Sequence, residues 1–230
     1  GTVWFSARGG LFRYDGSTFT RFTEVVSADG RDSLGVATRA LCATPDGALW
    51  LNRNGDLYRH RNGTFTQFTQ QDGLPGTDIL ALAVDGAGRL WIGTRSGAVV
   101  YDDHGFTLYG IEDGLLGREV TALAADESGD IWIGTPMGIN RFQNRKGITS
   151  AFASTGHIRA LAPDRSGGVW TVAGLDGPVR YWNDPGSVPG AGRPQRAFDV
   201  LVDRQQRVWL TGGGGLQVRE EAEWSTWTTA

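Results

Sequence analysis

The chain has 230 residues, a formal net charge of −3 and 40% hydrophobic residues, with acidic and basic side chains interspersed. That balance lacks the basic face of a nucleic-acid binder, and no apolar run approaches the roughly 18 residues of a membrane span. One cysteine, Cys42, rules out an internal disulfide, and 35 glycines against 8 prolines point to tight turns in a packed chain.

Six tryptophans divide the chain, Trp4, Trp50, Trp91, Trp132, Trp170 and Trp209, at steps of 46, 41, 41, 38 and 39 residues. A period of about forty residues marks a β-propeller or a solenoid. The first unit keeps Trp4, Leu11-Phe12-Arg13-Tyr14 and Phe19-Thr20-Arg21-Phe22, and lacks a strand ahead of Trp4. The second runs from Arg39-Ala40-Leu41-Cys42 through Trp50 and Asp56-Leu57-Tyr58 to Phe65-Thr66-Gln67-Phe68. The third is the clearest. Its apolar run Ile79–Val84 leads through the turn Asp85-Gly86-Ala87-Gly88 to Leu90-Trp91-Ile92, then Ala98–Tyr101, then the alternating Phe106–Tyr109. Short runs of this kind, bounded by Asp and Gly turns, read as four antiparallel strands, one propeller blade.

The fourth, fifth and sixth units repeat the order around Trp132, Trp170 and Trp209. The expected fold is an all-β propeller of about six four-stranded antiparallel blades, spanning 1–26, 38–69, 78–109, 119–150, 157–184 and 197–230. The first blade lacks its inner strand, and this gap implies that the single domain is part of a larger repeat array.

The segment from Asp72-Gly73-Leu74-Pro75 through Ala81–Asp85 to Leu90-Trp91-Ile92-Gly93-Thr94 resembles the two-component-regulator propeller repeat. The unit from Asp113-Gly114-Leu115 to Thr135 and Gly138 is similar to it as well. Weaker copies surround the other tryptophans. The fifth and sixth units lose the Asp-Gly-Leu lead, Thr44 stands where others place the turn Asp, and Gln206 stands where they place Gly. The resemblance implies a periplasmic or otherwise extracytoplasmic sensor segment of a bacterial signalling protein. It implies covalently attached signalling domains outside this chain and, for some members, an oligosaccharide ligand; no cofactor is expected.

Each candidate site residue has a plainer structural reading beside it. Asp85, Asp126, Asp164 and Asp203 recur six residues before a Trp, where an Asx-type turn cap fits better than a metal ring. The periodic tryptophans read as wedges between blades before they read as sugar platforms. Trp182, Trp224 and Trp227 fall outside the period and are better placed for exposed contact. No histidine has a metal-ligand partner at useful spacing, and His60 and His104 sit near turns. The run Gly212–Gly215 lacks the Lys-Ser/Thr and helix of a phosphate loop.

The loops between second and third strands, on the face of the blade-to-blade connections, carry Arg8, Arg53 and Arg95. The approaches to the inner strands add Arg39, Arg159 and Arg196, and His157. Together these form a candidate arginine-lined channel mouth for a carboxylate or sulfate. The expected function is ligand sensing without catalysis. A protein-interaction scaffold is the alternative, and a propeller lyase or hydrolase using His157 and Glu119 ranks below both.

Overall fold

The computed structural model describes residues 2–7, 10–22, 40–53, 55–76, 78–102, 104–143, 146–153, 156–174, 177–183, 190–191, 197–213, 215–220 and 223–227. Six small antiparallel sheets stand in a ring and form a six-bladed β-propeller. Beyond the strands, the described residues include two single-turn 3-10 helices, Gln70–Asp72 and Ile111–Asp113.

Among the described residues the first blade has three strands, Val3–Ala7, Gly10–Tyr14 and Phe19–Phe22, and Trp4 lies on the edge strand. The other blades have four. The second comprises Leu41–Ala43, Leu49–Arg53, Asp56–Arg61 and Thr64–Phe68. The third comprises Ile79–Val84, Leu90–Thr94, Ala98–Asp102 and Gly105–Tyr109. The fourth comprises Ala122–Ala125, Ile131–Thr135, Gly138–Gln143 and Gly147–Ala153. The fifth comprises Ile158–Pro163, Val169–Ala173, Val179–Trp182 and the short Gly190–Ala191. The sixth comprises Ala197–Val202, Val208–Gly212, Gly215–Glu220 and Glu223–Trp227. The outer strands of the fourth and fifth blades run past residues 150 and 184.

From the second blade to the sixth, the first strand of each blade touches the first strand of the next, so these strands line the ring axis. Second strands are covered by a neighbouring blade on either side. In blades two to five every residue of that strand is buried, which explains why its sequence is continuously apolar or small. The outer strand Thr64–Phe68 alternates exposed and part-buried residues, as a strand with one wet face does.

Among the described residues, five apolar clusters fill the spaces between successive blades. Trp91 of the third blade, fully buried, packs with Val120, Ile131, Ile133 and Phe142 of the fourth. Trp50 packs against Leu90, Ile92 and Val99 of the third blade, and Trp132 against Ile158 and Val169 of the fifth. Trp170 joins Val200, Val208 and Leu210 of the sixth blade. Trp4 lies against Leu49, Leu51 and Tyr58 of the second.

The repeated Gly after the Trp-Ile pair has its reason in the next blade. A Cβ on Gly93 would stand 2.8 Å from Val120, and one on Gly134 would stand 2.7 Å from Ile158. The inner strand of the following blade lies directly on that backbone.

In the first interface a histidine takes the place of an aromatic. His60 lies ten residues after Trp50, as Tyr101 and Phe142 lie ten after Trp91 and Trp132. Its ring meets Trp4 at 5.5 Å, Phe22 at 5.6 Å and Phe65 at 4.6 Å, and its Nε2 is buried without a partner among the described residues. Burial, helped by the charge of Arg13, pushes the imidazole below its ordinary value of 6.5. The folded protein prefers the neutral ring, so its contribution is complete above 6.5 and is lost as pH falls below that value. His60→Phe is expected to flatten the fall of the melting temperature on acidification from pH 6.5 to about 5, measured by circular dichroism. A melting curve with the same pH dependence as the parent would contradict this assignment.

Candidate functional site

The turns between first and second strands are built around a carboxylate. Asp85 Oδ1 accepts the amide N–H groups of Ala87 and Arg89 at 3.0 and 2.9 Å. Asp126, Asp164 and Asp203 accept the same two amides in their own turns. The second oxygen turns inward. Asp85 Oδ2 accepts Trp91 Nε1–H at 3.0 Å, Asp126 Oδ2 accepts that of Trp132 at 3.2 Å, and Asp203 Oδ2 accepts that of Trp209 at 2.8 Å. The six-residue spacing of Asp and Trp is a hydrogen bond across a hairpin.

An arginine neutralises each of these three carboxylates: Arg89 for Asp85, Arg141 for Asp126 and Arg207 for Asp203. At Asp203 partial burial pushes the carboxyl up. The Trp209 indole, the Arg207 amide and the Arg207 guanidinium outweigh it and bring the group down to about 2. These aspartates are structural anchors of the blade.

Gln206 occupies the left-handed position of its turn at φ 65°, where Gly88 and Gly129 take 81° and 83°. Its side-chain Oε1 accepts the Arg165 amide at 2.8 Å, a link from the sixth blade to the fifth.

On the other face, Arg95 lies 3.4 Å from Asp78 and 3.2 Å from Glu119, the residues leading into the third and fourth blades. The second-to-third turn and the inter-blade loops therefore share one face. Arg53 is 5% exposed and sits in the strand rather than projecting from the mouth. His157 is exposed, and its carbonyl accepts the Gly174 amide at 2.7 Å. Arg8, Arg39 and Arg196 lie outside the described residues. Glu119, the candidate acid, is tied to Arg95.

A cavity of about 280 Å³ lies along the ring axis, walled by the inner strands of five blades. Its lining residues include Leu41, Leu80, Leu82, Leu123 and Leu161 together with Arg159 and Asp199, and the surface it presents is mostly polar. Arg159 and Asp199 are both exposed, on the inner strands of the fifth and sixth blades. Asp199 was not singled out from sequence. Its signal was a charged residue in the otherwise apolar run Ala197–Val202. A second cavity, of about 620 Å³, opens between the second and third blades on the opposite face.

The non-periodic tryptophans divide by depth. Trp182 is buried and donates its Nε1–H to Thr171 Oγ1 at 3.1 Å, while Trp227 is 64% exposed. Cys42 is half-buried, and burial pushes its thiol up to about 12, out of the reactive range.

Comparison with known proteins agrees with the repeat pattern. Residues 73–96 and 114–137 match the model of the two component regulator propeller, so these two segments are similar to that family's repeat. No curated protein matches. Among solved structures, the extracellular domain of a putative hybrid two component system of B. thetaiotaomicron is similar over 95% of this chain and 36% of its own, at 17% identity and a TM-score of 0.69. A second such domain of that organism covers 96% of this chain and 32% of its own, at 18% identity and a TM-score of 0.71. Virginiamycin B lyase from Staphylococcus aureus covers 100% of this chain and 82% of its own, at 14% identity and a TM-score of 0.72. The chain spans about a third of the length of the two extracellular domains. At these identities the likeness is one of fold.

Proposed function

We propose that this chain, a propeller carrying two component regulator repeats, is the ligand-sensing part of a bacterial signalling protein and works outside the cytoplasm. The repeat family and the fold shared with extracellular domains of two component systems support that reading. The ligand is an oligosaccharide or an anionic small molecule taken at the axial cavity, and binding reorients the propeller relative to attached domains. No catalysis is involved.

One observation carries the choice of site. Arg159 and Asp199 line the same axial cavity from neighbouring blades. A cation and an anion in one cavity with a mostly polar lining can orient a polar ligand. Arg159 makes no ion pair among the described residues, and its guanidinium is available for bidentate contact with a carboxylate or sulfate.

Calorimetric titration with a panel of acidic and neutral oligosaccharides tests this reading. At least one acidic member should bind, and Arg159→Gln should weaken it by about 10-fold or more. If no member binds at millimolar concentration, the saccharide form fails. If Arg159→Gln binds as the parent does, the axial site fails.

A protein-interaction scaffold is the second reading. Its support is the exposure of Val3, Phe5 and Phe19 on the first blade and of Leu201, Leu216 and Trp227 on the sixth.

A further inference from the structure

The cavity of about 620 Å³ between the second and third blades falls in the size range of small-molecule sites. Its walls include Trp50, Arg59 and Arg61 from the second blade, and Arg89, Tyr101 and Asp102 from the third. Comparison of Arg59 with its equivalent in the fourth blade shows what this site lacks.

In the fourth blade Arg141 pairs across the strands with Trp132, its guanidinium carbon 5.0 Å from the indole centroid. Two carboxylates hold it there, Asp126 at 2.9 Å and Asp130 at 3.1 Å. Arg59 pairs with Trp50 in the same register, 5.5 Å from that ring and 5.3 Å from Phe68. The acids at six and two residues before the Trp are gone: those positions are Thr44 and Ala48. Arg59 has kept its aromatic bed and lost its anions. Among the described residues it makes no ion pair, and its Nε is buried without an acceptor. A donor in that state is costly until something accepts from it.

The other charges around the groove have partners. Arg61 lies 3.3 Å from Asp46, and Arg89 lies 2.7 Å from Asp85. Asp46 also accepts the Thr44 hydroxyl, and Asp102 accepts the His104 amide at 2.8 Å. Arg59 is left as the cation with no acid assigned to it. Beside it stands the half-buried ring of Tyr101, 5.2 Å from Trp50.

We propose that this groove binds a small organic anion, a single carboxylate carried on a sugar or aromatic ring. Arg59 takes the carboxylate in place of the missing aspartates, and the ring lies against Tyr101. The site is on the opposite face from the axial cavity and does not depend on ligand binding there.

The test is calorimetry with galacturonate and with benzoate, galactose serving as the neutral counterpart of the first. The same titrations are followed by NMR at the Arg59 Nε–H resonance, identified by its loss in Arg59→Gln. At least one of the two acids should bind and move that resonance, galactose should not, and Arg59→Gln should weaken binding by about 10-fold or more. The double variant Thr44→Asp with Asp46→Ser rebuilds the turn of the fourth blade, where Asp126 and Ser128 stand, without changing net charge. It should supply the carboxylate internally, abolish binding and keep the parent's melting temperature or raise it. Binding by the sugar acid alone identifies the ligand class as a uronic acid, and binding by benzoate alone as an aromatic acid. The proposal is overturned if neither acid gives saturable heat, if galactose binds as galacturonate does, or if the double variant retains the parent's affinity.

Discussion

Trp91→Ala should destabilise the protein by about 3–5 kcal/mol, read as a fall in the urea midpoint followed by circular dichroism. Trp91 is fully buried, and its ring lies 4.6 Å from Phe142 and 5.8 Å from Tyr109. The side chain fills the gap between the third and fourth blades, where Val120, Ile131 and Ile133 close around it. Removing it leaves a cavity between two stiff sheets that cannot collapse, which places the cost at the upper end for an aromatic truncation. Trp91→Phe keeps most of the wedge and removes the N–H that Asp85 accepts, so its cost should be smaller, about 1–2 kcal/mol. Trp227→Ala, at a side chain that is largely exposed, should change stability by no more than about 0.5 kcal/mol. Equal losses at Trp91 and Trp227 would contradict the interface assignment.

Asp85→Ala is expected to cost about 3–5 kcal/mol in the same assay. The Asp85 side chain is 2% exposed and accepts from two turn amides, from the Trp91 indole and from Arg89 at 2.7 Å. Its loss strands a partly buried guanidinium and a buried indole N–H at once, which is why the penalty exceeds that of a surface ion pair. Asp85→Asn retains one acceptor oxygen for the turn and places an N–H₂ against two donors, so it should recover only part of the loss. Complete recovery by Asn would mean that the turn bonds matter and the inward oxygen does not.

The period of the tryptophans was enough to place the second strand of blades two to six, and five of the six, all but Trp209, pack in the gap to the next blade. Other features needed coordinates because their causes lie between units. The Gly of the Trp-Ile-Gly-Thr motif looks like a turn residue in sequence. Its reason is the Val120 or Ile158 side chain of the next blade, some 27 residues downstream of Gly93 or 24 downstream of Gly134. The turn aspartates were legible as caps, since an Asx turn is local. Their second bond, to the indole, depends on hairpin register and was not.

The arginine mouth shows the same limit. Sequence placed Arg95 on the face of the inter-blade loops. Only the fold shows Asp78 and Glu119 reaching it from two successive blades. Arg159 and Asp199 line one cavity from neighbouring blades, and no sequence period announces their meeting there. Arg59 is the reverse case. Its lost acids at Thr44 and Ala48 are readable in sequence once Arg141 shows what the position requires.

The axial cavity as ligand site is the central claim, and amide NMR tests it most directly. During titration with an acidic oligosaccharide that binds, shift changes should concentrate on the inner strands, at Leu80–Leu82, Thr121–Leu123, Arg159–Leu161 and Asp199, the residues that line the axis. Changes confined to the outer strands, such as Thr64–Phe68 and Gly105–Tyr109, with the inner strands unmoved, would contradict it.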